Sequence, residues 1–197
     1  MRLIAFLLLL IAVPASAADW ATQPGSTLGF TTAYQGENFD GRFGKFTAQI
    51  RFDPAKLSDS RFDVRIVLAS ADTQNSERDE ALGGTDFFNT KKSPEARYVA
   101  SKFRALGGNR YAADGVLTLR GISKPVSLDF TWTPGAKAVL AGQALVKRLD
   151  FAVGTGDWAD TDLLPNEVTV KTRLLLSAAA SAAPPAPAKT AAKAAKP

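Results

Sequence analysis

The stretch GVLTLRGISKPVSLDFTW, residues 115–132, reads as two β-strands joined by a short polar turn. Its second half alternates. Val126, Leu128, Phe130 and Trp132 share one face, while Ser127, Asp129 and Thr131 share the other. A strand with one dry and one wet face requires this period of two. In the first half, Leu117 and Leu119 fall in phase with Gly115, Ala113 and Tyr111. Pro125 is expected just before the second strand, where its missing N–H weakens the ladder little.

The same period runs through most of the chain. Leu28 and Phe30 open an early strand after the turn Pro24-Gly25. Phe46, Ala48, Ile50 and Phe52 alternate with Lys45, Thr47, Gln49 and Arg51, and Asp53-Pro54 ends that run. Val64, Ile66 and Leu68 mark another strand. Further strands fit 96–104, 110–119, 126–133, 138–149 and 166–177. One segment differs: Ser76 to Leu82 reads as a short helix, capped by Ser76 and stopped by Gly83-Gly84. It leads into Asp86-Phe87-Phe88. The expected class is all-β, an antiparallel barrel or sandwich with one short helix between strands. About eight strands closing into a barrel would leave room for side chains or one slim ligand.

Both ends read differently. Residues 1–17 have the features of a signal peptide: Arg2, an apolar run over 3–13, and the small-x-small pattern Ala15-Ser16-Ala17. The apolar run falls short of the roughly 20 residues that span a bilayer. Residues 181–197 are Ala, Pro and Lys apart from Ser181 and Thr190, a composition expected to stay disordered. One domain is expected between them, over 18–180. Arg2, Lys189, Lys193 and Lys196 supply four of the 24 bases, so the folded part carries 20 bases and 19 acids. That balance argues against nucleic acid as a partner. The sequence has no Cys and no His, which excludes disulfides, Cys- or His-based catalysis and the commonest zinc ligation.

Several separated motifs then converge. Asp72-Thr73, Arg78-Asp79, Asp86-Phe87-Phe88, LTLRGISKPVSL at 117–128, Arg148-Leu149-Asp150-Phe151 and Asn166-Glu167-Val168 together resemble the YceI-like family. The resemblance covers nearly all of 19–177. It implies an eight-stranded antiparallel, lipocalin-like barrel, exported to the periplasm, with an interior that holds a long isoprenoid chain. No catalytic residues come with it. Some positions depart from the commoner family pattern. Gly25-Ser26 stands where His-Ser is frequent, and Ser93 where a tyrosine often precedes the proline. The run 154–160 resembles a subgroup that occurs alongside membrane cytochromes of the b561 type.

The chain has 12 Phe, and several lie near turns. Phe39, Phe43 and Phe46 surround Gly41 and Gly44, which suggests a Gly-hinged loop at a barrel mouth; ordinary packing is the competing reading. Phe87 and Phe88 either cap the barrel or line its portal. Trp158 either stacks on a ring headgroup or wedges its loop against the barrel. Phe30, Leu119 and Phe130 are expected to face the interior. Arg78 is placed to meet a phosphate or a quinone carbonyl, with a structural ion pair as the alternative. Arg148 and Asp150 are expected on one face of a strand, as an ion pair. Asp157, Asp160 and Asp162 lack calcium-loop spacing and read as solvated turn acids.

The leading expectation is therefore an exported lipid-binding barrel and not an enzyme. Its ligand would be a quinone or polyprenol, with no cofactor beyond that lipid and no metal. The alternative is a self-packed interaction module that docks a b561-type cytochrome. A homodimer is compatible with either. A hydrolase would need two converging carboxylates, and no spacing here supplies them.

Overall fold

Along the chain the strands are β1 (Asp19–Thr22), β2 (Thr27–Tyr34), β3 (Glu37–Phe43), β4 (Phe46–Arg51), β5 (Arg61–Val67) and β6 (Ala71–Asp72), then β7 (Glu95–Gly107), β8 (Arg110–Leu119), β9 (Ile122–Thr133), β10 (Lys137–Lys147) and β11 (Glu167–Ala178). One α-helix among the described residues, α1 (Ser76–Gly83), separates β6 from β7. These belong to a computed structural model that describes residues 19–179. The segments 1–17 and 181–197, read from sequence as leader and tail, lie outside the described residues, as do the outermost positions of the expected domain, 18 and 180.

The strands form eight antiparallel staves. β11 pairs through one half with β2 (Thr172 opposite Leu28) and through the other with β1 (Ala178 opposite Trp20), so β1 and β2 act as one stave bent at Gly25. β3 and β4 continue each other past Gly44, because β3 pairs with β2 and β4 with β1. β5 and β6 do the same around the 3-10 turn Leu68–Ser70. The other five strands run uninterrupted, and the β1–β11 pairing closes the ring. Each of the eight staves of the ring thus has a partner on both sides over part of its length, while β6 pairs on one side alone, with β3.

The hairpin that first indicates strands spans the length of this barrel. Arg120 and Gly121 turn it, both at positive φ (54° and 77°), as a two-residue mirror-image turn requires. Pro125 differs from expectation: it lies inside β9, opposite Val116. β9 tolerates it because β10 pairs with β9 only from Leu128 to Thr133, so no ladder partner is lost on that side.

Three further expectations are corrected. Glu37–Phe43 is a strand, not a hinged loop: Phe39, Gly41 and Phe43 alternate, and Gly41 occupies an inward position where the Phe30 ring lies. The helix N-cap is Asn75, whose side chain accepts from the Arg78 N–H, and not Ser76. The strand expected to reach 149 ends at Lys147, and Arg148–Phe151 form a 3-10 turn.

The interior divides into two halves. At one end Phe52, 1% exposed, packs against Phe62, Phe103, Tyr111, Phe130 and Trp132 with ring centroids 5.0–6.1 Å apart. The pairs with Tyr111 and Phe130 are edge-to-face, an arrangement that adds about 0.5–1.5 kcal/mol each beyond the buried area. Leu140 and Leu176 complete this plug. The other half holds a separate cluster around Phe30, Leu68, Phe87, Phe88 and Phe151.

Candidate ligand-binding cavity

The second half is not filled. A cavity of about 460 Å³ lies there, within the range of about 300–1,000 Å³ typical of clefts for small molecules. Strand alternation builds its wall. Leu28, Phe30 and Thr32 come from β2, and Phe39 and Phe43 from β3. Phe46 enters from β4, Leu117 and Leu119 from β8, and Val126 from β9. Phe87 and Phe88 close one side from the segment after α1. Exposed residues Tyr34, Asn75 and Glu77 also stand in the wall, so the cavity reaches the surface between the β2–β3 turn and the first turn of α1.

Nine of the ten residues singled out from sequence therefore share one wall: Phe30, Phe39, Phe43, Phe46, Phe87, Phe88, Leu119, Trp158 and Arg78. Phe130 is set apart. It faces inward but belongs to the plug, 3% exposed and 5.2 Å from Phe52. Leu119 and Phe130 obey the same alternation; their height along the barrel separates them. Trp158 sits between Tyr34 and Phe87, with centroids at 6.1 and 5.3 Å, and so wedges its turn onto the rim.

The rim is tied together by arginines that hold backbone carbonyls. Arg148, 4% exposed, donates from Nε to Pro165 O (3.0 Å), from Nη1 to Val153 O (3.0 Å) and Gly154 O (2.6 Å), and from Nη2 to Leu164 O (2.6 Å). Burial lowers its affinity for its proton from the ordinary arginine value. The expected Arg148–Asp150 pair does not form, because the 3-10 turn leaves Asp150 exposed while Arg148 points inward. Arg120, at the tip of the β8–β9 hairpin, donates to Phe87 O. Gly154 N–H donates to Asp86 O at 2.7 Å. Three rim segments are thus joined through main-chain atoms, which side-chain patterning does not reveal.

Two other polar groups in the wall have little company. The Thr32 Oγ1 is buried with no hydrogen-bond partner among the described residues. Arg78 lies over the Phe39 ring, its Cζ 4.0 Å from the centroid. By contrast Tyr98 is satisfied, its hydroxyl donating to Ala113 O (2.7 Å) with Val126 O as a second acceptor within reach (3.2 Å), and burial pushes its deprotonation above the ordinary range.

A model of the YceI-like domain matches residues 20–176. The chain belongs to the YceI-like family. A UPF0312 protein of Shewanella denitrificans is 35% identical over 124 residues, 61% of this chain and 65% of that relative's own length. One from Vibrio campbellii is 28% identical over 169 residues, 78% of this chain and 89% of the other. Among solved structures, BcnA of Burkholderia cenocepacia superposes with a TM-score of 0.73 at 34% identity, covering 76% of this chain and 94% of that one. A polyisoprenoid binding domain from Saccharophagus degradans, implicated in plant cell wall breakdown, gives a TM-score of 0.61 at 15% identity over 83% and 99% of the two chains, a likeness of fold. In this YceI-like barrel the LTLRG motif supplies cavity wall (Leu117, Leu119) and a rim tie (Arg120), and the RLDF motif supplies the carbonyl clamp (Arg148).

Proposed function

We propose that this chain is an exported lipid-binding protein whose barrel encloses the long apolar chain of an isoprenoid-type ligand, for carriage or storage in the periplasm. One observation carries the reading: a barrel plugged with aromatic rings at one end and hollow, apolar and open to the surface at the other. Each CH₂ taken from water contributes about 0.8 kcal/mol, so several prenyl units bind with few polar contacts. The name of the Saccharophagus neighbour, a polyisoprenoid binding domain, supports the same class of ligand. The leader read in residues 1–17 supports export. The docking reading, with its b561-type cytochrome, gains nothing from a barrel that is half empty.

The test is lipid capture. Delipidated protein is mixed with a panel of quinones, polyprenols and fatty acids, re-purified, and extracted for mass spectrometry. Enrichment of an isoprenoid over a control protein is expected. Recovery of no lipid above that control would sink the reading.

A further inference from the structure

We infer that Arg78 and Thr32, the two sides of Phe39, form a subsite for the anionic oxygen head group, carboxylate or phosphate, of the lipid whose tail occupies the cavity. This rests on the lipid-binding reading and sharpens it. Thr32 and Phe39 are directly opposed on β2 and β3, so their side chains share the inner face. The Arg78 guanidinium lies on the Phe39 ring. Thus one phenylalanine brings a cation and a hydroxyl together in the cavity wall, at the end that reaches solvent.

Among the described residues neither side chain makes a hydrogen bond or an ion pair. Among the described residues no carboxylate lies within ion-pair distance of Arg78. Glu77 also lines the cavity, but residues one apart on a helix do not face each other. The next acid, Asp79, is engaged by Thr73, accepting from its N–H at 2.8 Å and its hydroxyl at 2.7 Å. A guanidinium resting on a ring keeps its N–H fork free in the plane of the group, the geometry that binds carboxylate and phosphate with two hydrogen bonds. The Thr32 hydroxyl gives up no hydrogen bond by changing its χ1 rotamer to meet a ligand. Among the described residues Arg148, the second cation in the wall, has no carboxylate partner either, so Arg78, Arg148 and Glu77 give the described lining one positive charge in excess. Both groups offer donors to an acceptor-rich head. A neutral alcohol uses this site poorly.

Four ligands of one chain test this on delipidated full-length protein: geranylgeranyl monophosphate, geranylgeranoic acid, its amide, and geranylgeraniol, each read by displacement of a fluorescent lipid. The anions are expected to bind about tenfold or more tightly than the alcohol, as charge-assisted hydrogen bonds imply. Phosphate alone or acid alone leading the series identifies which anion the site takes. R78Q brings the anion-to-alcohol ratio to within about twofold of unity, the loss expected when the charged fork is removed. T32V lowers anion affinity about threefold or more, the effect of one hydrogen bond. T32V also keeps or raises the unfolding temperature, because it removes an unpartnered buried hydroxyl. Equal binding of acid, amide and alcohol to the wild type, or a ratio that survives R78Q, overturns the subsite. Binding of none of the four overturns the lipid reading beneath it.

Discussion

The ring of Phe30 lies across the backbone of Gly41, its direct partner on β3, so closely that a Cβ on Gly41 would stand 2.5 Å from Phe30 Cε1. The glycine is where the ring fits. Gly41→Ala must push Phe30 toward the cavity or force the strands apart. The expected loss is about 1–3 kcal/mol, the usual effect of overpacking, together with weaker capture of lipid. Urea unfolding and the capture assay measure the two effects separately.

Arg148 sets the stability of the rim. Arg148→Met leaves the carbonyls of Val153, Gly154, Leu164 and Pro165 without their donors in a buried site. Several unsatisfied groups of this kind imply a loss of about 3 kcal/mol or more. Amide exchange at Val153 and Gly154, whose N–H groups bond Arg148 O and Asp86 O, is expected to quicken before global unfolding. Arg148→Lys should restore little, since one ammonium cannot replace a planar fork. Unchanged exchange at both amides in Arg148→Met would refute the clamp.

These two residues mark what was legible in the sequence. The alternation of 126–132 shows a strand directly, and enough such runs imply a barrel. The strand at 37–43 is hidden, because Gly41 stands at an inward position and breaks the apolar pattern that Phe39 and Phe43 would otherwise complete. Arg148 invites a search for an acidic partner, whereas its partners are backbone carbonyls, which every residue carries and no letter marks. The division of the interior is hidden too: Leu119 and Phe130 look alike along the chain, yet one meets the cavity and the other the plug.

Acid should weaken the barrel over a defined range. Arg104 beside Asp114, then the Ser127 hydroxyl, hold its carboxyl down to about 2 against an ordinary value of 3.8. A carboxylate depressed in the folded state contributes stability that is present above the unfolded value and lost as pH falls through the folded one. Stability should therefore decline from about pH 4 toward about pH 2. Asp114→Asn should be slightly less stable than wild type at pH 7, by no more than about 1 kcal/mol for so exposed a pair. The two proteins should converge near pH 2. A gap that stays constant in urea midpoints across this range would remove Asp114 from the account.

The plugged and hollow halves should answer substitution in opposite ways. Phe52 is enclosed by five rings, so Phe52→Ala opens a void among groups that cannot collapse, with an expected loss of about 3–5 kcal/mol. Val126 faces space already empty. Val126→Phe adds a ring without displacing one, and cavity filling of this kind typically gains about 0.5–2 kcal/mol. The same ring takes volume that a lipid chain would use, so capture should fall while the unfolding temperature holds or rises. Loss of stability in Val126→Phe would mean the cavity closes on its own in solution. Undiminished capture would mean the chain binds elsewhere. A more stable protein that no longer holds lipid is the outcome expected if the hollow half exists for a ligand.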